Sequence, residues 1–353
     1  MKTKKQKTLQ VPTAAYGVDC DREFKRLFVN CLDGIYSLDI ESGDHEKLGQ
    51  HESYGSGCRL INNDETLIIS GYDGQIKWFD VKDKKEIRTV KAHNFWSWNM
   101  AVSPDQTKIA TVSGQYLAGS YKYDPAKSSE PTVKIIDAKT GDTIFKLEHL
   151  PPVQAVAISP DSQHVAAGNL MGEVKVWNLE NGKLVAEFKS DDFTSWGIIK
   201  SHCYIGGIYA MTFDNSGDQV LIAGMGHMRD PMAGNGKQRW QAFRWKEKPQ
   251  KVKNSKDNQC GEGLMEALTV RPESDHVVMG GRLRGGKWNL GIFDYEKSEL
   301  VDSFKTDDRI TEAKFARDGK VLMLSAAKNQ PSPKRKNKSN LSFGRVHLYD
   351  VEV

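Results

Sequence analysis

The chain has 353 residues, 38% of them hydrophobic, with 31 Gly, 12 Pro and a formal net charge of +4. So mild a charge argues against nucleic acid as the main partner. The sequence has no apolar run of the ~18 residues that a membrane-spanning helix needs. Its basic N-terminus also lacks the apolar stretch of a secretory signal. The composition therefore favours a soluble β-protein with no membrane partner.

The first predicted strand, 6–11, is followed by seven repeats. Each repeat contains a β-rich stretch that ends in an apolar or aromatic residue and then a polar one. These pairs are Leu38-Asp39, Phe79-Asp80, Ile136-Asp137, Trp177-Asn178, Phe243-Arg244, Phe293-Asp294 and Tyr349-Asp350. A second marker, a turn residue between the first two strands of each repeat, recurs at intervals of 41 to 57 residues from near Asp21 to Asp318. The shorter intervals match one four-stranded propeller blade, and the longer ones indicate blades with insertions.

The most regular repeat contains GEVKVWNLENGKL, and SPD turns stand at 103–105 and 159–161. These features, with the VKAHN and KLEHL junctions, resemble WD-repeat β-propellers over nearly the whole chain. The resemblance implies an all-β, seven-bladed propeller of four-stranded antiparallel blades that forms a single domain, 1–353. Only Trp177 keeps the tryptophan usual at its strand position, so the chain resembles a divergent member. Such propellers mostly serve as binding platforms, and the fold alone does not specify a partner.

Two further features bear on how the ring is held together. The last repeat ends after its third strand, so strand 6–11 is expected to complete that blade and close the ring. In the WD-repeat family a histidine stands about twelve residues before the turn residue and braces the strands. The resemblance implies this role for three histidines, which precede their turn residues by 13, 12 and 12 residues: His51, His93 and His149.

The long insertions all fall on one face of the predicted ring. That face carries the connections between the second and third strands of each blade and those between blades, and we call it the loop-rich face. The insertions are 114–131, 190–207, 225–237, 254–263, 282–288 and 328–344. Because loops on rigid scaffolds often carry function, the loop-rich face is the expected binding surface, and its partner is expected to be a protein or peptide.

Aromatic and basic residues concentrate in the same segments. Trp, Tyr and Arg are enriched at binding hot spots, although such rings also pack insertions against a scaffold. Four first residues of inner strands align, each seven residues before its turn residue, and are expected to give the channel mouth an aromatic and acidic rim: Trp98, Gln154, Tyr209 and Glu266. The predicted partner-binding residues are Trp96, Trp98, Tyr116, Trp196, Tyr209, His227, Arg229, Trp240, Glu266, Arg282, Arg284 and Trp288.

Two Gly-rich segments, 224–240 and 280–289, present His and Arg side chains that could bind a small anion. An ordered hairpin tip and a solvated turn are the simpler readings of these segments. An alternative function is a small-molecule or metal site at the channel mouth, possibly catalytic, built from His227, Arg229, Glu266 and Arg282. No metal-ligand spacing or catalytic triad is readable, so no cofactor and no catalytic residue is expected.

The five cysteines are odd in number and form no CxxC motif. This favours free thiols in a reducing compartment, and we expect a cytoplasmic protein unless a signal has been removed. Segment 331–339, PSPKRKNKS, resembles a nuclear-import signal if the source is a eukaryote; otherwise it is a basic loop.

Overall fold

The computed structural model describes residues 1–115, 128–196, 204–226, 236–256, 259, 261–328 and 343–352. For 194–196, 204–205 and 283–284 it describes the backbone alone. Twenty-nine strands and one short 3-10 helix, Asp191–Phe193, make up its regular structure, and the strands form seven antiparallel sheets. Within these described ranges no helix is long and apolar enough to span a membrane.

Each sheet is one blade, and its strands follow one another outward from the ring axis. The first three blades are β2 (Ala15–Cys20), β3 (Arg26–Cys31), β4 (Gly34–Asp39) and β5 (His45–Gly49); β6 (Gly55–Ile61), β7 (Thr66–Gly71), β8 (Gln75–Asp80) and β9 (Lys85–Lys91); and β10 (Asn99–Val102), β11 (Lys108–Val112), β12 (Val133–Asp137) and β13 (Thr143–Leu147).

The next three blades repeat this order. They are β14 (Val153–Ile158), β15 (His164–Asn169), β16 (Glu173–Asn178) and β17 (Leu184–Lys189); β19 (Tyr204–Phe213), β20 (Gln219–Met225), β21 (Gln238–Arg244) and β22 (Gln250–Asn254); and β23 (Glu262–Val270), β24 (His276–Gly285), β25 (Leu290–Asp294) and β26 (Glu299–Phe304). In blade five an additional strand, β18 (Thr194–Trp196), pairs with the start of β19. The seven apolar-polar pairs of the sequence lie on the third strands, as predicted.

The seventh blade is closed by the N-terminus. It consists of β27 (Arg309–Ala316), β28 (Val321–Lys328) and β29 (Phe343–Glu352), and β1 (Lys2–Val11) pairs antiparallel with β29 along its length. The predicted closing strand is therefore confirmed, and it begins four residues earlier than expected. The N-terminal half of β1 is rich in exposed lysine, and lysine on an edge strand discourages edge-to-edge association.

The hydrophobic core lies between neighbouring blades rather than at the ring centre. Seven clusters of buried side chains occupy the described part of the molecule, one at each contact between adjacent blades. The inner and middle strands pack against other blades and are mostly buried, whereas outer strands such as β9 expose polar side chains. Because each blade buries apolar surface only against its neighbours, the ring becomes stable when it closes.

The strand bounds also confirm where the long insertions lie. The connections from first to second strand and from third to fourth strand are short throughout, and the intervals 113–132, 226–237 and 329–342 all join second strands to third strands. One prediction needs correction. Arg282 and Arg284 do not lie in a loop, because β24 continues to Gly285 and pairs with an equally lengthened β23.

Candidate binding site at the channel mouth

The inner strands share a β-bulge near their first residues. In six blades the pairing with the second strand skips one residue at the same place. A bulge redirects a side chain, and all six skipped residues line a central channel of about 470 Å³. They are Tyr16, Ser56, Gln154, Tyr209, Glu266 and Thr311.

Trp98 precedes β10 and also lines the channel. Together with Gln154, Tyr209 and Glu266 it completes the four entry positions expected at the mouth, so their placement along the channel is confirmed. Their part in binding a partner stays a prediction.

The channel mouth is aromatic, and its acidic residue, Glu266, is paired with an arginine. Both carboxylate oxygens of Glu266 accept hydrogen bonds from the Arg309 guanidinium. Burial acts to lower the pKa of Arg309, but the charge and the hydrogen bonds of Glu266, with the nearby Tyr16 and Tyr72, together outweigh burial and raise that pKa. The predicted acidic rim is thus a charge-balanced ion pair, because β27 supplies an arginine that the alignment of entry positions did not single out.

Tyrosine hydroxyls surround this ion pair. Burial raises the pKa of Tyr209 to about 12 and raises the pKa values of Tyr16 and Tyr72 above the ordinary value. All three rings line the channel and are half-buried. Their hydroxyls therefore remain protonated at physiological pH and can donate hydrogen bonds into the channel.

A cluster of five rings continues from the channel mouth onto the loop-rich face. We call it the aromatic platform, and its members are Tyr54, Tyr72, Phe95, Trp96 and Trp98. The Trp96 ring is nearly parallel to the rings of Tyr72 and Phe95, with centroid distances of 4.9 and 5.1 Å. The ring of Trp98 meets those three edge-on. Tyr54 and Trp96 are the most exposed members, at 48% and 40%.

Backbone contacts within blade two and its junction with blade three hold the platform in place. The Tyr72 amide donates a hydrogen bond to the Tyr54 carbonyl over 2.7 Å. The Gly74 carbonyl accepts hydrogen bonds from the amides of Ala92 and His93, shortly before Phe95. Gly74 has φ +74°, and a Cβ there would collide with the carbonyls of His93 and Phe95. A residue without a side chain is therefore required for this approach. The indole N–H of Trp98 donates to the Gly114 carbonyl over 2.9 Å.

Histidine bracing occurs in blade two. His51 Nδ1 lies 3.0 Å from each carboxylate oxygen of Asp73, the residue after Tyr72, which confirms the predicted brace there. His149 instead accepts a hydrogen bond from the Leu150 amide, and its β15–β16 turn has Met171 where blade two has Asp73. His93 is buried, and its ring nitrogens make no hydrogen bond of normal geometry in the described residues. Within the described residues, the brace implied by the family resemblance is thus reproduced by His51 but not by His93 or His149.

Two of the predicted contact residues are in the core. Trp240 is fully buried and packs on Phe293, and Trp288 is 4% exposed and packs on the same ring. The prediction that their side chains form a partner-binding surface is wrong. Both lie in the cluster between blades five and six, because an aromatic side chain on a third strand, or just before one, is covered by the adjacent blade.

The other predicted residues differ in how much the structure describes. Arg282 is exposed on β24 and does not line the channel. Trp196 lies in β18 and Arg284 in β24, and the described part of both is the backbone. Tyr116, His227 and Arg229 lie outside the described residues. Within the described ranges, no group of three or more His, Cys, Asp and Glu side chains could hold a metal ion.

Sequence reasoning missed Tyr16, Tyr54, Tyr72, Phe95 and Arg309. Tyr16 could have been found by extending the alignment of entry positions to blade one, since it occupies the same bulge. Tyr54 and Tyr72 flank the β6–β7 hairpin on the loop-rich face, in connections too short to attract attention as insertions. They lie near Trp96 because of the tight turn at Gly74. A glycine at a turn does not indicate in the sequence that aromatic rings meet there.

No family model matches the chain. Among known proteins, it is 28% identical over 201 residues to the WD repeat-containing protein SL1-17 of Schistosoma mansoni, covering 48% of this chain and 67% of that protein. It is 26% identical over 164 residues to Eukaryotic translation initiation factor 3 subunit I of Bombyx mori, covering 46% and 45%. It is also 26% identical over 159 residues to Telomerase protein component 1 of Mus musculus, covering 43% of this chain and 5% of that protein.

The chain thus spans a small part of the mouse protein and less than half of the silkworm protein. Two other relatives are likewise described as WD repeat-containing proteins. The repeats of the sequence, the seven closed blades and these relatives agree with one another. The chain is a seven-bladed β-propeller that is similar to WD-repeat proteins, consistent with a divergent member of that family.

Proposed function

We propose that the protein is a non-catalytic scaffold that binds a protein or peptide partner through its loop-rich face. The observation that carries this proposal is the aromatic platform. Two large rings, Tyr54 and Trp96, are 48% and 40% exposed beside the channel mouth, where three more rings support them. Exposed aromatic clusters of this kind are typical of interaction sites.

The other large apolar side chains exposed in the described part of the chain are spread along outer strands. They are Ile87, Ile144, Leu184, Val185 and Val301. They are aliphatic and come from four different blades, so they do not form a comparable cluster of rings. The loop-rich face therefore offers the better binding surface.

The alternative is a small-molecule site in the channel. Its volume, about 470 Å³, lies in the range of ligand pockets. However, Glu266 is already paired with Arg309, and Arg282 does not line the channel. The residues proposed for that site are thus not assembled in the described part of the molecule, and the scaffold is the better-supported function.

Affinity capture from the native host tests the proposal. A variant with Tyr54→Ala and Trp96→Ala should fold normally and lose specific protein partners that the wild type retains. Ile87→Ala removes an apolar side chain that is 58% exposed on an outer strand, and this variant should retain every partner. Equal capture by all three proteins would contradict the proposal. A stoichiometric metal or small molecule in the purified wild type, without protein partners, would support the channel site instead.

A further inference from the structure

The aromatic platform carries hydrogen-bond donors that have no acceptor among the described residues. Of its polar groups, the Trp98 indole N–H is paired, with the Gly114 carbonyl. Among the described residues, the hydroxyls of Tyr54 and Tyr72 and the indole N–H of Trp96 have no hydrogen-bond partner. Tyr16 and Tyr209 line the channel, and their hydroxyls add further hydrogen-bond donors there. A ligand for this surface should supply acceptors.

Charge does not define the ligand. Within the described residues, the charged side chains that line the channel are each paired: Glu266 with Arg309, Arg59 with Glu312, and Lys314 with Asp19. A strongly acidic or basic ligand would have to break one of these pairs. Phosphate groups would likewise find no unpaired cation among the described lining residues, which argues against nucleic acid at this mouth.

The stacking of the rings also argues against a cationic side chain as the main contact. A cation is attracted to the face of an aromatic ring. The Trp96 ring is stacked with both Tyr72 and Phe95 at interplanar angles of 4° and 11°. These neighbours cover part of the face area of Trp96, which leaves less of it open to a cation. Ring edges carry partial positive charge and favour carbonyl oxygens.

We infer that the aromatic platform binds a proline-rich segment of the partner in the polyproline II conformation. Such a segment is apolar and uncharged, and its prolines have carbonyl acceptors but no N–H donors. Its carbonyls are free, since this conformation has no internal hydrogen bonds. Aromatic-lined grooves are a general means of recognising it. This inference rests on the proposed function and specifies its partner.

Binding of a fluorescein-labelled, capped decaproline to the full chain, followed by fluorescence polarisation, tests the inference. We expect saturable binding that Trp96→Ala weakens by at least about tenfold, a loss of about 1.4 kcal/mol. Tyr54→Phe keeps the ring and removes the hydroxyl, and it should weaken binding by about three- to tenfold. Ile87→Ala should leave the affinity unchanged. Circular dichroism of each variant establishes that it is folded.

Capped peptides of alternating Gly and Arg and of alternating Gly and Glu, and an oligouridine, serve as competing chemistries. If decaproline does not bind saturably, or binds Trp96→Ala as well as the wild type, the inference is overturned. If one of the charged peptides binds through Trp96 instead, the proline-rich partner is wrong while the scaffold function stands. Selective binding of oligouridine through Trp96 would contradict both.

Discussion

The carboxylate of Glu312 in blade seven accepts a hydrogen bond from the guanidinium of Arg59 in blade two over 2.5 Å. Its other oxygen accepts a hydrogen bond from the Val18 amide of blade one over 2.7 Å. Asp19 makes the matching connection, with the Lys314 ammonium at 2.5 Å and the Leu60 amide at 2.9 Å. Two carboxylates thus join the three blades at the seam where the ring closes.

Glu312→Ala should therefore destabilise the protein. It leaves the Arg59 charge without its partner in a largely buried position, at a cost of about 2–4 kcal/mol. Urea denaturation measures the difference. The double variant Arg59→Met, Glu312→Leu should be less destabilised than Glu312→Ala, because it leaves no unpaired charge. If the two variants are equally destabilised, the ion pair is not the reason.

Removal of β1 should lower the free energy of unfolding by an amount that depends on the apolar surface that β1 buries. Leu9 and Val11 are 4% and 1% exposed in the cluster between blades seven and one, whereas the earlier lysines are mostly exposed. A chain that begins at Pro12 should lose about 3–6 kcal/mol more of unfolding free energy than one that begins at Thr8. Urea titrations of the two truncations make the comparison. Equal stability would mean that β1 does not close the ring.

Stability should fall on mild acidification because of two buried histidines. Burial lowers the pKa of His93 to about 4 and that of His149 to about 3. The unfolded chain, with a histidine pKa near 6.5, takes up protons that the folded chain excludes. The contribution is therefore fully present above about pH 6.5 and is lost as the pH falls toward 4, by about 2 kcal/mol per histidine at pH 5.

Unfolding free energies of the wild type and His93→Leu at pH 7.5 and 5 check this dependence. The decrease between the two pH values should be about 2 kcal/mol smaller in the variant, since it removes one of the two groups. His45→Leu, at an exposed site on β5, is the control and should leave the decrease unchanged. An identical decrease in the wild type and His93→Leu would rule out His93 as a cause.

Trp240 and Trp96 should behave in opposite ways when replaced by alanine. Trp240→Ala removes a fully buried ring from the cluster between blades five and six and should cost about 3–5 kcal/mol of stability. Trp96→Ala removes a ring that is 40% exposed and should cost far less, while it abolishes partner capture. Thermal unfolding and capture of each variant separate the two roles. A stability loss of the same size in both would place Trp96 among the structural residues.

The sequence by itself determined the repeat number, the third-strand positions, the face that carries the insertions, and the strand that closes the ring. These follow from local patterns, because turn residues and strand alternation act within one blade. The four aligned entry positions, from Trp98 to Glu266, were also readable, since a bulge recurs at one place in each inner strand.

Only the tertiary structure decided which aromatic rings are covered. Trp240 and Trp96 look alike in sequence, yet one is enclosed by blade six and the other stands beside the channel mouth. Likewise, Arg309 reaches Glu266 from the neighbouring blade, and Tyr72 meets Trp96 through the turn at Gly74. Each of these contacts joins residues from different blades or turns, so it exists only once the strands of a blade or neighbouring blades have packed and brought their surfaces together.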